Sequence, residues 1–219
     1  GVTTTTGDQE GEVISKKEAV FNEAQLKETL QKFIGDITQV PPMYSALKFE
    51  GRPLYEYARQ GIEIERKSRQ ITIYDIGLME FQGSVMTIEV SCSKGTYIRT
   101  LAEDIGHALG CGAHLKGLER TQTGNFQLTE ALTIEALEAM DSISREKVLL
   151  PIDALLEGLP SIELTSAETE LIKKGQSIDF ISKNEEELRL YSVSGQFVGV
   201  GQPDLQGRLF PKRLIANIL

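Results

Sequence analysis

The chain has no tryptophan, two cysteines and two histidines in 219 residues, and each scarcity removes a class of chemistry. Cys92 and Cys111 lie far apart without a C-x-x-C, so neither a disulfide framework nor a zinc site is signalled. Two reduced thiols are the expectation. His107 and His114 have no partner arranged around them in sequence, so neither is assigned a catalytic role. There is no G-x-x-x-x-G-K and no H-E-x-x-H, which argues against phosphoryl transfer and metal hydrolysis. No apolar run approaches the roughly 18 residues a membrane span needs, and Gly1-Val2-Thr3-Thr4 lacks the basic-then-apolar layout of a secretion signal. A cytoplasmic chain without a membrane partner is expected. Positive charge is also short: 23 Lys and Arg against 32 Asp and Glu give a net charge of −9, a poor fit to a polyanion.

Local distribution departs from that total. Residues 42–70 carry Lys48, Arg52, Arg59, Arg66, Lys67 and Arg69 against Glu50, Glu56, Glu63 and Glu65, a local balance of +2. Within them, Pro42 to Lys48 and Leu54 to Gly61 interleave Tyr44, Tyr55 and Tyr57 with cations, a composition able to stack bases and touch phosphates. A solvated mixed-charge surface fits the composition equally well. Pro41-Pro42 and Gly51-Arg52-Pro53 disfavour regular structure, so a long, partly ordered loop with a short helix over Leu54–Gln60 is expected.

The richest stretch is Val85 to Gly112. Met86, Ile88, Val90 and Cys92 alternate with Val85, Thr87, Glu89 and Ser91, the period of a half-buried strand. Gly95 breaks it, Thr96 to Thr100 can cap a helix, and Leu101, Ile105, Ala108 and Leu109 recur at helical spacing before Gly110-Cys111-Gly112. Tyr97 and Arg99 therefore stand at a strand-to-helix junction, where a phenol and a guanidinium could meet a nucleotide and a carboxylate. A packed Tyr and a surface Arg is the plainer reading of the same spacing.

Elsewhere, Asn22 with Gln25 reads as a cap ahead of Leu26, Leu30, Phe33 and Ile34, a helix closed by Gly35. Ile71–Tyr74 reads as a strand partnering Val85–Cys92 around Gln82-Gly83, and Gly7-Asp8 as a turn. Thr133 heads a helix through Met140, and another spans Ser144–Leu156 with Pro151 interrupting. Past Gly158-Leu159-Pro160, a Thr165/Glu168 capping box precedes short strands at Leu188–Val193, Phe197–Val200 and Arg208–Leu214. The expectation is an α+β fold in two domains, 1–158 and 159–219, the first a mixed sheet with helices and the second a small β-barrel.

PPMYSALKFEGRPLYEYARQG, CSKGTYIRTLAEDIG and GCGAHLKGLER, in that order, resemble TruB-type tRNA pseudouridine synthases, which isomerise the T-loop uridine of transfer RNA. The resemblance covers about Gly1 to Leu156. It implies a pseudouridine synthase catalytic domain with 42–70 as an RNA-gripping insertion, a PUA-like C-terminal domain, no cofactor, and the tRNA T-arm as partner. Tyr97 is similar to the tyrosine that packs on the target base, and Arg99 to the arginine that pairs with the catalytic aspartate. Leu118 resembles the apolar residue bordering the flipped base. Lys48, Arg52, Tyr55, Tyr57, Arg59, Lys94 and Arg120 would contact RNA. The family's nucleophilic Asp lies in a block ending Leu-Asp-Pro, and these residues contain no Asp-Pro dipeptide. The chain reads as entered midway, so it is expected to be inactive alone and Arg99 to seek another acid or anion. Glu103 and Asp104, at i+4 and i+5, are poor substitutes. A sheet edge left open would invite dimerisation or capture of the missing N-terminal segment. A stand-alone RNA-binding module without chemistry is the alternative, and a small-molecule α+β enzyme a third reading.

Overall fold

The computed structural model describes residues 1–215. Its α+β architecture divides into two compact units, one over Gly1–Glu119 and one from Arg120 onward.

In the first unit, β1 (Val2–Thr4) pairs antiparallel with β2 (Val13–Lys16). Helix α1 (Glu23–Gln31) comes next, its capping box closed in both directions by Asn22 and Gln25 as the sequence predicts. Beyond it lies an element with no clear sequence signal: β3 (Gly35–Gln39), whose residues pair antiparallel with Arg69–Ile73. The segment 42–70 holds a small hairpin, β4 (Lys48–Phe49) with β5 (Arg52–Pro53), and helix α2 (Leu54–Arg59), with Ser45, Leu54 and Tyr57 buried. It is more ordered than expected, because Leu54 and Tyr57 fall three apart on one face of α2 and turn inward together.

Strand β6 (Arg69–Gln82) is far longer than Ile71–Tyr74 and forms the middle of the sheet β3-β6-β7, with β7 spanning Val85–Cys92. Its register shifts twice, between Ile73 and Asp75 and between Leu78 and Glu80. Each shift inserts one residue, so the core-facing set changes phase from Ile71 and Ile73 to Ile76 and Leu78, then to Phe81. That phase change hides the strand from a search for strict alternation. Strand β7 alternates as expected, with Met86, Ile88, Val90 and Cys92 on the core. Leu26 and Leu30 of α1 and Leu101 and Ile105 of α3 (Ile98–Ala108) close the core over Ile71, Ile73 and Ile76.

Thr96 is not the cap of α3. Tyr97 holds the N-cap position without a side-chain cap bond, and the Thr96 hydroxyl donates to the Ser93 carbonyl. Gly106, in the last turn of α3, has no room for a side chain: a Cβ there would lie 2.2 Å from the Ala113 nitrogen and 2.4 Å from the Gly112 carbonyl carbon. The helix therefore packs backbone to backbone against the chain that leaves it.

The second unit opens with hairpin β8 (Gln122–Thr123) and β9 (Phe126–Gln127), then α4 (Ile134–Ala139), capped by Thr133, and α5 (Ser142–Lys147), capped by Asp141. The helix expected over Ser144–Leu156 ends at Lys147, ahead of Pro151, and a single 3-10 turn covers Ala154–Leu156. Strands β10 (Ser161–Leu164), β11 (Ile178–Asp179), β12 (Leu188–Ser192), β13 (Phe197–Pro203) and β14 (Arg208–Leu214) form one sheet in the order β10-β12-β13-β14-β11. Helix α6 (Ser166–Lys173) carries the predicted Thr165/Glu168 capping box and places Ile172 on a core of Leu164, Ile178, Leu188, Leu190, Val198 and Leu209. Residues 120–158 fall within this compact unit. Asp153 accepts from the Tyr191 hydroxyl and from Arg189 of β12, tying the 3-10 turn to the strand.

Candidate functional site

The first turn of α3 is where the candidate chemistry gathers. Arg99 is one-quarter exposed and donates in three directions: Nη1 to Asp8 Oδ2 at 3.1 Å and to the Thr6 carbonyl at 3.3 Å, Nη2 to the Tyr44 carbonyl at 2.6 Å. One guanidinium therefore joins the β1–β2 loop, the start of the 42–70 segment and the helix that begins after Tyr97. A planar fork with fixed donor directions suits such a junction.

The acid that answers Arg99 is Asp8, which the sequence marked only as part of a turn. Two local features aim its carboxylate. Gly7, at φ +73°, takes a left-handed conformation that reverses the loop, and Gly7 and Gln9 bond to the backbone of Leu115 on either side of Asp8. The Thr6 hydroxyl then donates to Asp8 Oδ1 at 2.6 Å and the Glu10 N–H at 3.2 Å. Partial burial by itself would raise the Asp8 carboxyl. The Thr6 and Glu10 hydrogen bonds and the Arg99 charge outweigh burial and hold it below the ordinary aspartate value. A Thr-Thr-Gly-Asp run was the available signal, but nothing local says which distant cation it serves.

Glu103 and Asp104 do not pair with Arg99. Burial pushes the Glu103 carboxyl up, reinforced by Asp104 and opposed by His107 and Arg99. Burial also raises Asp104. Glu103 packs close to Gly7, where a Cβ would come within 3.1 Å of its carboxyl.

Tyr97 is half-buried two residues before Arg99. The Arg69 guanidinium stands over its ring, 5.5 Å from the centroid. Lys94 is exposed on the turn ahead of it and Leu118 is exposed near the end of the unit. Tyr97, Arg99 and Lys94 are thus brought to one strand-to-helix junction.

The expected RNA contacts in the 42–70 segment fare unequally. Lys48 and Arg59 are exposed. Arg59 lies over the half-buried Tyr55 ring at 5.3 Å. Arg52 is exposed, pairs with Glu56 at 3.4 Å and covers the Tyr57 ring at 4.9 Å. Tyr57 itself is a correction: it is buried, its hydroxyl donates to the Phe49 carbonyl, and Phe49 meets its ring edge-on. It supports the hairpin and has no free face for a base. Arg120 belongs to the second unit, exposed and donating to the Thr123 hydroxyl at 3.5 Å.

Three family profiles cover nearly the whole chain: TruB family pseudouridylate synthase (N terminal domain) over residues 1–98, tRNA pseudouridylate synthase B C-terminal domain over 99–157, and Pseudouridine synthase II TruB, C-terminal over 160–215. A tRNA pseudouridine synthase B of Chromobacterium violaceum is 50% identical over 220 residues, covering 99% of this chain and 72% of that protein. One from Dechloromonas aromatica is 47% identical, with 98% and 72% covered. Among solved structures, a Cbf5-Nop10-Gar1 complex matches with a TM-score of 0.68 at 21% identity, over 90% of this chain and 62% of that one. An H/ACA RNP bound to a substrate RNA containing 2'-deoxyuridine gives a TM-score of 0.68 at 19% identity, over 91% and 63%. The likeness to these two structures is one of fold. The chain spans less than two thirds of each.

Proposed function

Since the chain belongs to the TruB family of pseudouridylate synthases, we propose that it carries the base-handling and RNA-gripping parts of a tRNA pseudouridine synthase acting on the T-loop uridine. The observation that carries this reading is the convergence on Arg99, whose guanidinium bonds the Asp8 carboxylate and the Tyr44 carbonyl while Tyr97 sits two residues away.

In the reaction a C–N glycosidic bond breaks, uracil turns, and a C–C bond forms. Tyr97 packs on the base as it leaves the stack, an aromatic face exchanged for the neighbours it loses. Arg99 holds a fixed positive charge that pairs with the family's catalytic carboxylate. Lys48, Arg52, Arg59 and Lys94 meet phosphates of the T-arm, Tyr55 offers an aromatic edge, and Leu118 and Arg120 border the RNA. Tyr57 holds the hairpin that presents Arg52. The functional division lies at 158/159, supported by the change of family profile between residues 157 and 160. The second domain, with its five-stranded sheet, acts as the PUA-like RNA-binding part. The site is a cytoplasmic one, and its partner is tRNA.

This polypeptide contains no Leu-Asp-Pro block and forms no pseudouridine by itself. Asp8 does not replace the nucleophile, because its carboxylate is already engaged by Arg99, the Thr6 hydroxyl and the Glu10 N–H. The test is a T-arm stem-loop titrated with the chain and then assayed for pseudouridine. Salt-sensitive binding without product is the expected result. Product formation by the chain alone would overturn the inactivity, and absence of salt-sensitive binding would overturn the RNA reading. Strands β3 and β7 each pair only with β6 among the described residues, so their outer edges are where a second copy would join, a point sedimentation tests.

A further inference from the structure

Gln39 is the last residue of β3 and is 1% exposed, a burial that a carboxamide tolerates only when its donor and acceptor are both used. Both are used on one residue. The Tyr97 N–H donates to Gln39 Oε1 at 2.8 Å, and Gln39 Nε2 donates to the Tyr97 carbonyl at 3.1 Å. The same Tyr97 carbonyl accepts the first helical bond of α3, from the Leu101 N–H. Gln39 thus fixes the peptide groups on both sides of the Tyr97 Cα, and with them the direction in which the ring leaves the backbone.

Across the sheet, Gln39 is in register with Arg69, the first residue of β6, whose guanidinium covers the Tyr97 ring. Arg69 makes no ion pair among the described residues. It lies along the Gly95 turn, where a Cβ would be 3.5 Å from its Nη1. One rung of the sheet therefore addresses one tyrosine twice, at its backbone and at its ring.

We propose that the Gln39–Arg69 rung is the positioning device for Tyr97: Gln39 sets the backbone from which the ring projects, and Arg69 occupies one ring face so that a base is received on the other. The proposal rests on the reading that Tyr97 packs on the target base. Glutamine is suited to this position because leucine would leave the Tyr97 N–H unpaired, glutamate would offer acceptors only, and asparagine is one methylene too short to reach. Both residues act through Tyr97 and are positioning residues.

The test uses this chain and two measurements. The first needs no RNA: amide hydrogen exchange at Tyr97, expected to accelerate about tenfold in Gln39→Leu while the Ile73 amide in the sheet is unchanged. The second is the affinity for a T-arm stem-loop carrying uridine at the target position, divided by that for the same RNA with an abasic sugar there. Stacking makes this ratio about tenfold or more in the parent chain. It falls towards one in Gln39→Leu and at least about threefold in Arg69→Lys, which keeps the charge but loses the flat guanidinium. A merely structural role would lower both affinities together and leave the ratio alone. Should Gln39→Leu fail to fold, Arg69→Lys decides. If Tyr97→Leu abolishes the ratio while Gln39→Leu or Arg69→Lys keeps it within about twofold, the proposal is overturned. If Tyr97→Leu leaves the ratio unchanged, the base-packing reading fails instead, and the exchange measurement alone judges Gln39.

Discussion

Replacing Asp8 with Asn keeps an oxygen for the Thr6 hydroxyl and the Glu10 N–H, which both bond Oδ1, but removes the charge and turns an amide NH2 toward Arg99 in place of the accepting Oδ2. Arg99 keeps two carbonyl acceptors but loses its only ion pair among the described residues. An exposed pair contributes about 0–1 kcal/mol, whereas a hydrogen bond to a charged group contributes about 1.5–3 kcal/mol. With both side chains one-quarter exposed, the loss should fall at the low end of the second range, about 1.5–2 kcal/mol. For a unit of this size that lowers Tm by roughly 5–7 °C.

The pH dependence comes from the depressed Asp8 carboxyl. A depressed acid contributes stability that is complete above its unfolded value of about 3.9 and is lost as pH falls through the folded value. The gap between parent and Asp8→Asn should be full at pH 7, begin to close below about pH 4, and vanish once Asp8 is protonated in the fold. Urea unfolding tracked by circular dichroism at a series of pH values measures it. Arg99→Met and the double variant complete a cycle that isolates the pair. A gap under about 0.5 kcal/mol at pH 7, or one equally large at pH 7 and pH 2, would refute the reasoning.

Glu103→Gln should act in the opposite sense. Its carboxyl is raised chiefly by burial, so ionisation costs stability at neutral pH, and the variant should be more stable at pH 7 and lose that advantage as acid protonates the parent. Gly106→Ala should cost about 1–3 kcal/mol, since the added Cβ meets backbone that cannot swing aside; unchanged denaturant midpoints would contradict the contact. Lys48→Ala and Arg59→Ala should each weaken T-arm binding and reduce the slope of log affinity against log salt by about one, leaving the target-base preference intact.

The elements that could be read from sequence are those whose signal is local. The capping boxes at Asn22/Gln25 and Thr165/Glu168 form as read, because a cap involves four consecutive residues and no partner elsewhere. Strand β7 was legible because its alternation runs unbroken for eight residues. Most of β6 was not, because two bulges reset its phase, and β3 was not, because Gly35-Asp36-Ile37-Thr38-Gln39 has too few apolar positions to declare a face. The strand-Gly-helix pattern put Tyr97 and Arg99 at the junction where they lie, whereas aromatic–cation interleaving did not say that the Tyr57 ring turns inward.

By itself the sequence determined the two capped helices, the alternating strand and the junction positions of Tyr97 and Arg99, each carried by neighbours within a few residues, and the family, carried by three motif blocks in order. Tertiary structure alone decided that Asp8, ninety-one positions away, is the acid that meets Arg99. It likewise brought Gln39 to the backbone of Tyr97 from fifty-eight positions away. Carboxylates and amides look alike wherever they stand in a chain, and a partner is chosen by which loops the folded core brings within three ångströms.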